Sequence, residues 1–166
     1  QMVYFHPVPK NLIEKFILAK GLDKDLAGEM ARLSGGLPGR AVEWVDNREE
    51  YEVYKKEAVR FVTLLYRPFF EKLKGVEDLF AAHRQAGADS DHIAEREKLA
   101  RVLDIWLGVL RGFVHSNHNL VEKKLKLNLS DRAVLNISSH ISEVKDALRK
   151  NMHPRLLLER VLLEIP

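Results

Sequence analysis

The sequence contains no cysteine. That excludes a disulfide framework, a zinc–thiolate site and a cysteine nucleophile, and it is compatible with a reducing, cytoplasmic home. There is no G-x-x-x-x-G-K-[ST], and no G-x-G-x-x-G follows a strand, so neither common phosphate-cradling loop is encoded. Long hydrophobic runs are missing as well. The most apolar stretch, 102–114, carries Asp104 and Arg111 and is too short to span a bilayer, so it reads as a buried core helix. The opening MVYFHPVP has neither the basic start nor the length of a signal peptide. No internal repeat or low-complexity tract stands out.

What remains is the composition of a packed domain. Of 166 residues, 46% are hydrophobic and 31% charged, enough for a core and a solvated surface. The formal net charge of +3 is too mild to indicate nucleic acid on its own. The chain opens on Gln1 rather than an initiator methionine and reads as a piece of a longer protein.

The most tightly specified stretch is Ala31 to Val45, ARLSGGLPGRAVEWV. Leu26, Met30 and Leu33 repeat at helical spacing up to Ser34. Gly35 and Gly36 suit the left-handed backbone that closes a helix, and Pro38 suits the first turn of the next. Ala41, Val42 and Val45 are expected to face the core from that second helix.

Around this corner the periodicity predicts helices throughout. A stripe of Leu12, Ile13, Phe16 and Ile17 follows Pro9 and stops at Gly21; Asp23 caps a helix over 24–34. Asp46 or Asn47 starts a long helix through Tyr51, Tyr54, Ala58, Phe61, Val62 and Leu65, interrupted at Pro68. Phe69, Phe70, Leu73, Val76, Leu79 and Phe80 continue the pattern, weakened at Gly75. After the loop at 86–90, a helix runs from about Asp91 to Val114. Ser130 caps a helix through Val134, Ile137, Ile141, Val144 and Leu148, and Pro154 begins a last one through Leu157, Leu158, Val161, Leu162 and Ile165. Only 2–5 looks β-prone, as the tail of a strand. The fold class is therefore all-α: a small three-helix unit over 9–47, then a bundle of about five helices over 48–166.

Chemistry is sparse. His115 and His118 in HSNHN lack the further ligands a metal needs, though His140 or Asp131 could be recruited. His83 and His92 flank the 86–90 loop in the same inconclusive way. Asp89 and Asp91 read as loop and cap residues rather than a carboxylate pair. Lys123, Lys124 and Lys126 form a basic stripe diluted by Glu122, which reads as an exposed face. The aromatic set Tyr51, Tyr54, Phe61, Tyr66, Phe69 and Phe70 is explained by core packing, part of it by an interface.

The corner carries a resemblance. An apolar helix, then S-x-G-x-P-G-x-A, then another helix resembles the lid of the AAA+ clamp-loader subunits, nearest to the delta-prime branch found in bacterial DNA polymerase III. Ala31, Arg32, Leu33, Ser34, Gly36, Pro38, Gly39 and Ala41 fit that pattern as they stand. Gln1 to Pro7 is similar to the exit from the Ser-Arg-Cys motif that ends the family's ATPase domain, and NMHPRLLLERVLLEI at 151–165 is similar to its last helix.

The resemblance implies a tail of the ATPase domain over 1–8, a lid over 9–47 and a collar over 48–166. The collar would assemble with the other clamp-loader subunits, gamma/tau and delta. Arg155, Leu158, Glu159 and Leu162 are the implied interface candidates. DNA would be met only through the complex, which loads the sliding clamp for the nucleotidyltransferase holoenzyme. This part would hold no catalytic residue, cofactor or metal of its own, the arginine finger lying before Gln1.

Hydrolysing subunits carry a sensor arginine in G-S-x-R-D-A. Aligned on Gly36 and Ala41, that position is Gly39 here, and Arg40 falls one residue later, about 100° around a helix. The lid corner of Gly36, Pro38, Gly39 and Arg40 is thus implied to lie near the nucleotide without reading it. The alternatives are the lid and collar of a hydrolysing gamma/tau-like subunit, with Arg40 as sensor, or an unrelated all-α adaptor that binds DNA through the lysine stripe.

Overall fold

The computed structural model describes residues 6–84, 92–115, 130–150 and 152–165. Among them are eight α-helices and no strand: α1 Lys10–Ala19, α2 Lys24–Leu33, α3 Pro38–Asp46, α4 Arg48–Tyr66, α5 Phe69–Arg84, α6 His92–His115, α7 Asp131–Arg149 and α8 Pro154–Glu164. The all-α expectation holds, with helices close to their expected bounds. The strand reading of 2–5 lies outside the described residues. So do Asp89, Asp91, His118 and the lysine stripe, together with the side chains of Leu79, Phe80, His83, His92 and His115.

The described residues divide into two compact units, each discontinuous in sequence. The first holds 6–56 and 111–115; the second holds 57–84, 92–110, 130–150 and 152–165. The division falls inside α4 and α6, whereas the sequence suggested a boundary at Asn47. A turn-forming residue ends a helix locally, but it does not decide which core the next helix joins.

In the first unit, α1 and α2 pack together and α3 closes against both. Ile13 and Ile17, Ala27, Met30 and Ala31, and Ala41 and Trp44 fill the space between them. The faces are narrower than the apolar stripes suggested. Leu12, Phe16 and Val42 are exposed, and Trp44 takes the buried place on α3. Two small residues at the contact, Ala27 and Ala31, let the helices approach closely, so one large residue per turn suffices.

Helix α4 supplies aromatic residues to both units. Asn47 starts it, its side-chain oxygen accepting from the Glu50 N–H at 3.2 Å. Tyr51 and Tyr54 meet Trp44 at ring separations of 5.4 and 4.7 Å, in edge and tilted geometries. In the second unit Phe61 stacks on Trp106 at 4.6 Å. The Trp106 indole N–H donates to Glu57 at 2.9 Å. Pro68 ends α4 because it has no N–H to offer the Leu64 carbonyl; the Arg67 N–H turns back to that oxygen instead, at 3.3 Å.

Helix α5 inverts the expected pattern. Phe69 and Phe70 are exposed, while Lys72 is buried. Its ammonium donates to the Ile165 carbonyl at 2.8 Å and so caps the C-terminal end of α8. Burial pulls that ammonium pKa down. Gly75 has its own reason: a Cβ there would lie 3.0 Å from Leu64 Cδ2, and its carbonyl accepts from Arg60 at 2.6 Å. Helices α7 and α8 complete the unit with the apolar stripes expected of them, and Ser130 caps α7 through the Ala133 N–H at 3.2 Å.

Glu57 is a largely covered carboxylate, its side chain 13% accessible. Burial pushes its carboxyl above the usual carboxylate range, and Arg60, the Trp106 N–H and Lys98 recover only part of that cost. A raised carboxyl pKa favours the folded state most at low pH, and that contribution is lost as pH rises through the folded value. Glu57→Gln keeps an oxygen for Trp106 and removes the buried charge. We expect it to match or exceed the native chain at neutral pH by up to about 1 kcal/mol. The advantage should shrink as pH falls through the raised folded value, where Glu57 takes up its proton. Urea midpoints of both chains across this range measure it; an advantage that grows on acidification would contradict the assignment.

Candidate functional site

The corner between α2 and α3 is the candidate site. The Ser34 N–H donates to Met30 O at 2.9 Å and the Gly35 N–H to Arg32 O at 3.2 Å, finishing α2. Ser34 is fully buried, and its hydroxyl donates to Ala31 O at 2.9 Å, which satisfies the one polar side-chain group there. Gly35 and Gly36 then take φ of +61° and +81°. The Leu37 N–H returns to Ser34 O at 3.1 Å, and Pro38 opens α3.

Of the two glycines, Gly36 is the more constrained. A Cβ on it would come within 2.6 Å of Pro7 Cβ and 3.3 Å of Val8 O. Its own carbonyl accepts from the Val8 N–H at 2.8 Å. The segment ahead of α1 is therefore laid directly on the corner, and only a residue without a side chain permits that approach. Gly35 and Gly39 have open space where a Cβ would sit.

Arg40 points into aromatic surroundings. Its guanidinium lies 5.0 Å from the Tyr54 ring centroid and 6.0 Å from that of Trp44, and one N–H donates to the Tyr54 hydroxyl at 3.2 Å. Both contacts draw on the same electrostatic preference of a flat cation for a π-face and a phenolic oxygen. Burial raises the Tyr54 pKa, opposed by the charges of Arg40 and Arg111. Sequence spacing fixed where Arg40 leaves the helix. Trp44, four residues on, is a neighbour that helical spacing gives, but Tyr54 was not legible, because it belongs to another helix.

A second cluster ties α2 to α4. Lys55 Nζ donates to Glu29 at 2.9 Å, and the Tyr51 hydroxyl faces the same carboxylate. Burial pushes the Glu29 carboxyl up, but Lys55, the Tyr51 hydroxyl and the Arg32 charge together hold it below its usual value. Tyr51 is driven strongly upward by burial and by Glu29. This arrangement stores no reactive proton near neutral pH; it braces α4 on the corner.

The four collar-interface candidates on α8 fall into two groups. Leu158 and Leu162 are fully buried in the chain, so neither is available to a neighbour. They point inward because α8 packs on α7 and α5. The exposed leucines of the helix are Leu156 and Leu163, each 64% accessible. Arg155 and Glu159 are partly exposed and pair with each other at 2.9 Å, and Arg155 also reaches Glu77 at 3.4 Å.

Among the described residues no group of three or more His, Cys, Asp or Glu could hold a metal ion, and no helix is long and apolar enough to cross a membrane. No family model, no curated protein and no solved structure matches the chain.

The contrast between the glycines can be measured. Gly36→Ala places a side chain at positive φ against Pro7 and should cost about 2–3 kcal/mol, lowering Tm by roughly 5–10 °C. Gly39→Ala, in open space at the start of α3, should leave Tm unchanged or raise stability by up to about 1 kcal/mol. Thermal unfolding followed by circular dichroism separates the two, and equal losses would contradict this reading of the corner.

Proposed function

We propose that the chain is the lid and collar part of a clamp-loader subunit of the delta-prime kind, a non-hydrolysing member that works by assembly. The observation that carries this reading is the fate of the lid corner. The motif shared with clamp-loader lids forms a sharp joint between two helices of a small helical unit. At the position where hydrolysing relatives place a sensor arginine stands Gly39, which offers no side chain. The neighbouring Arg40 is occupied by Trp44 and Tyr54. A lid with this corner keeps the family's shape and lacks the phosphate-reading group.

The collar would be supplied by the helices after α3, with α8 contributing the contact. Leu156 and Leu163, seven residues apart on one face, are the apolar residues it can offer, flanked by the Arg155–Glu159 pair. Partners would be the gamma/tau and delta collars, and DNA would be engaged only through the assembled complex.

Light scattering of this chain mixed with gamma/tau and delta collars tests the reading. A stable hetero-assembly is expected, and Leu156→Glu combined with Leu163→Glu should weaken it at least about tenfold without changing the circular dichroism of the free chain. No association with any collar would overturn it. In the whole subunit, Arg40→Ala should leave the complex's ATP turnover within about twofold of native. A loss of about a hundredfold would instead make Arg40 a working sensor and the protein a hydrolysing subunit.

A further inference from the structure

At the turn from α4 into α5 lies an open groove of about 470 Å³. Apolar Leu64 and Phe70 line it together with Arg60, Arg67, Glu71 and Lys74. Phe70 is 78% accessible, the most exposed large hydrophobic side chain among the described residues. Arg60 is held in place by Gly75 O at 2.6 Å and by Glu57 at 3.5 Å, and Arg67 pairs with Glu71. Lys74 makes no ion pair among the described residues. It stands four residues beyond Phe70, one helical turn along the same face. The groove therefore offers an uncovered aromatic ring beside a cationic surplus.

We propose that this groove receives a short acidic segment of a partner polypeptide. One apolar side chain of the segment covers Phe70, and its carboxylates meet Lys74 and the outer N–H groups of Arg67. Charge complementarity selects the occupant. A basic segment would meet Lys74, while the acid in the wall, Glu71, is already taken by Arg67. A nucleic-acid backbone would bring phosphates against Glu71 and leave the exposed Phe70 ring without an apolar partner. An acidic segment with an apolar anchor satisfies both parts of the groove. The proposal does not depend on the clamp-loader reading.

The test uses the whole chain and a mixture of short peptides, acidic at alternate positions and drawn from leucine, isoleucine, methionine and phenylalanine at the others. Amide shifts should move at residues around Phe70 and Leu64. Phe70→Ala and Lys74→Glu, both at exposed positions, should each weaken binding about tenfold while the circular dichroism stays native. A peptide mixture with lysine in place of the acids should bind Lys74→Glu better than it binds the native chain. Absence of shifts, or affinity unchanged in Phe70→Ala, would overturn the proposal. So would an oligothymidylate that binds this groove more tightly than the acidic peptides. Self-association of the native chain that Phe70→Ala abolishes would also overturn it, by making a second copy the occupant.

Discussion

The buried stripe of α4 is the constraint on which the other packing depends. The chain has two tryptophans, and α4 holds both: Tyr51 and Tyr54 against Trp44, Phe61 against Trp106. Each tryptophan is almost wholly buried. Loss of such a ring typically costs about 3–5 kcal/mol, more than any surface ion pair here could supply. Because the stripe repeats every three or four residues, the aromatic groups that serve the two units lie on one helix in sequence order. Residues from Tyr51 to Lys56 serve the first unit and those from Glu57 onward serve the second.

The α2–α3 corner depends on the same helix. Tyr54 supports Trp44 and also takes the Arg40 guanidinium, while Lys55 holds Glu29 on α2. A charged residue at the mouth of the corner is thereby turned into packing. The backbone side of the corner is secured differently, by Gly36 lying under Pro7 and Val8. Backbone turns, a buried hydroxyl and a close chain crossing thus each fix the shape of this stretch.

Helix α5 shows how tertiary context reassigns side chains. A lysine is buried there because the C-terminal end of α8 presents a carbonyl that needs a donor. Two phenylalanines stay out because α8 meets α5 along the face that carries Lys72 and Val76. The groove beside Phe70 and the exposed leucines of α8 are thus separate apolar features of one unit, one cationic and one flanked by a neutral pair.

What the sequence determined by itself is local and periodic. Helical spacing, the caps at Asp23, Asn47 and Ser130, the breaks at Gly21, Gly36 and Pro68, and the buried stripes of α4, α7 and α8 all follow from interactions within a few residues. The tertiary structure alone decided the choices between candidates. It buried Trp44 and exposed Val42, buried Lys72 and exposed Phe69 and Phe70, and turned Arg40 toward Tyr54. It also decided that the units divide within α4 and α6. In each case the deciding partner lies on another helix, at a distance along the chain that no pattern of neighbouring residues encodes.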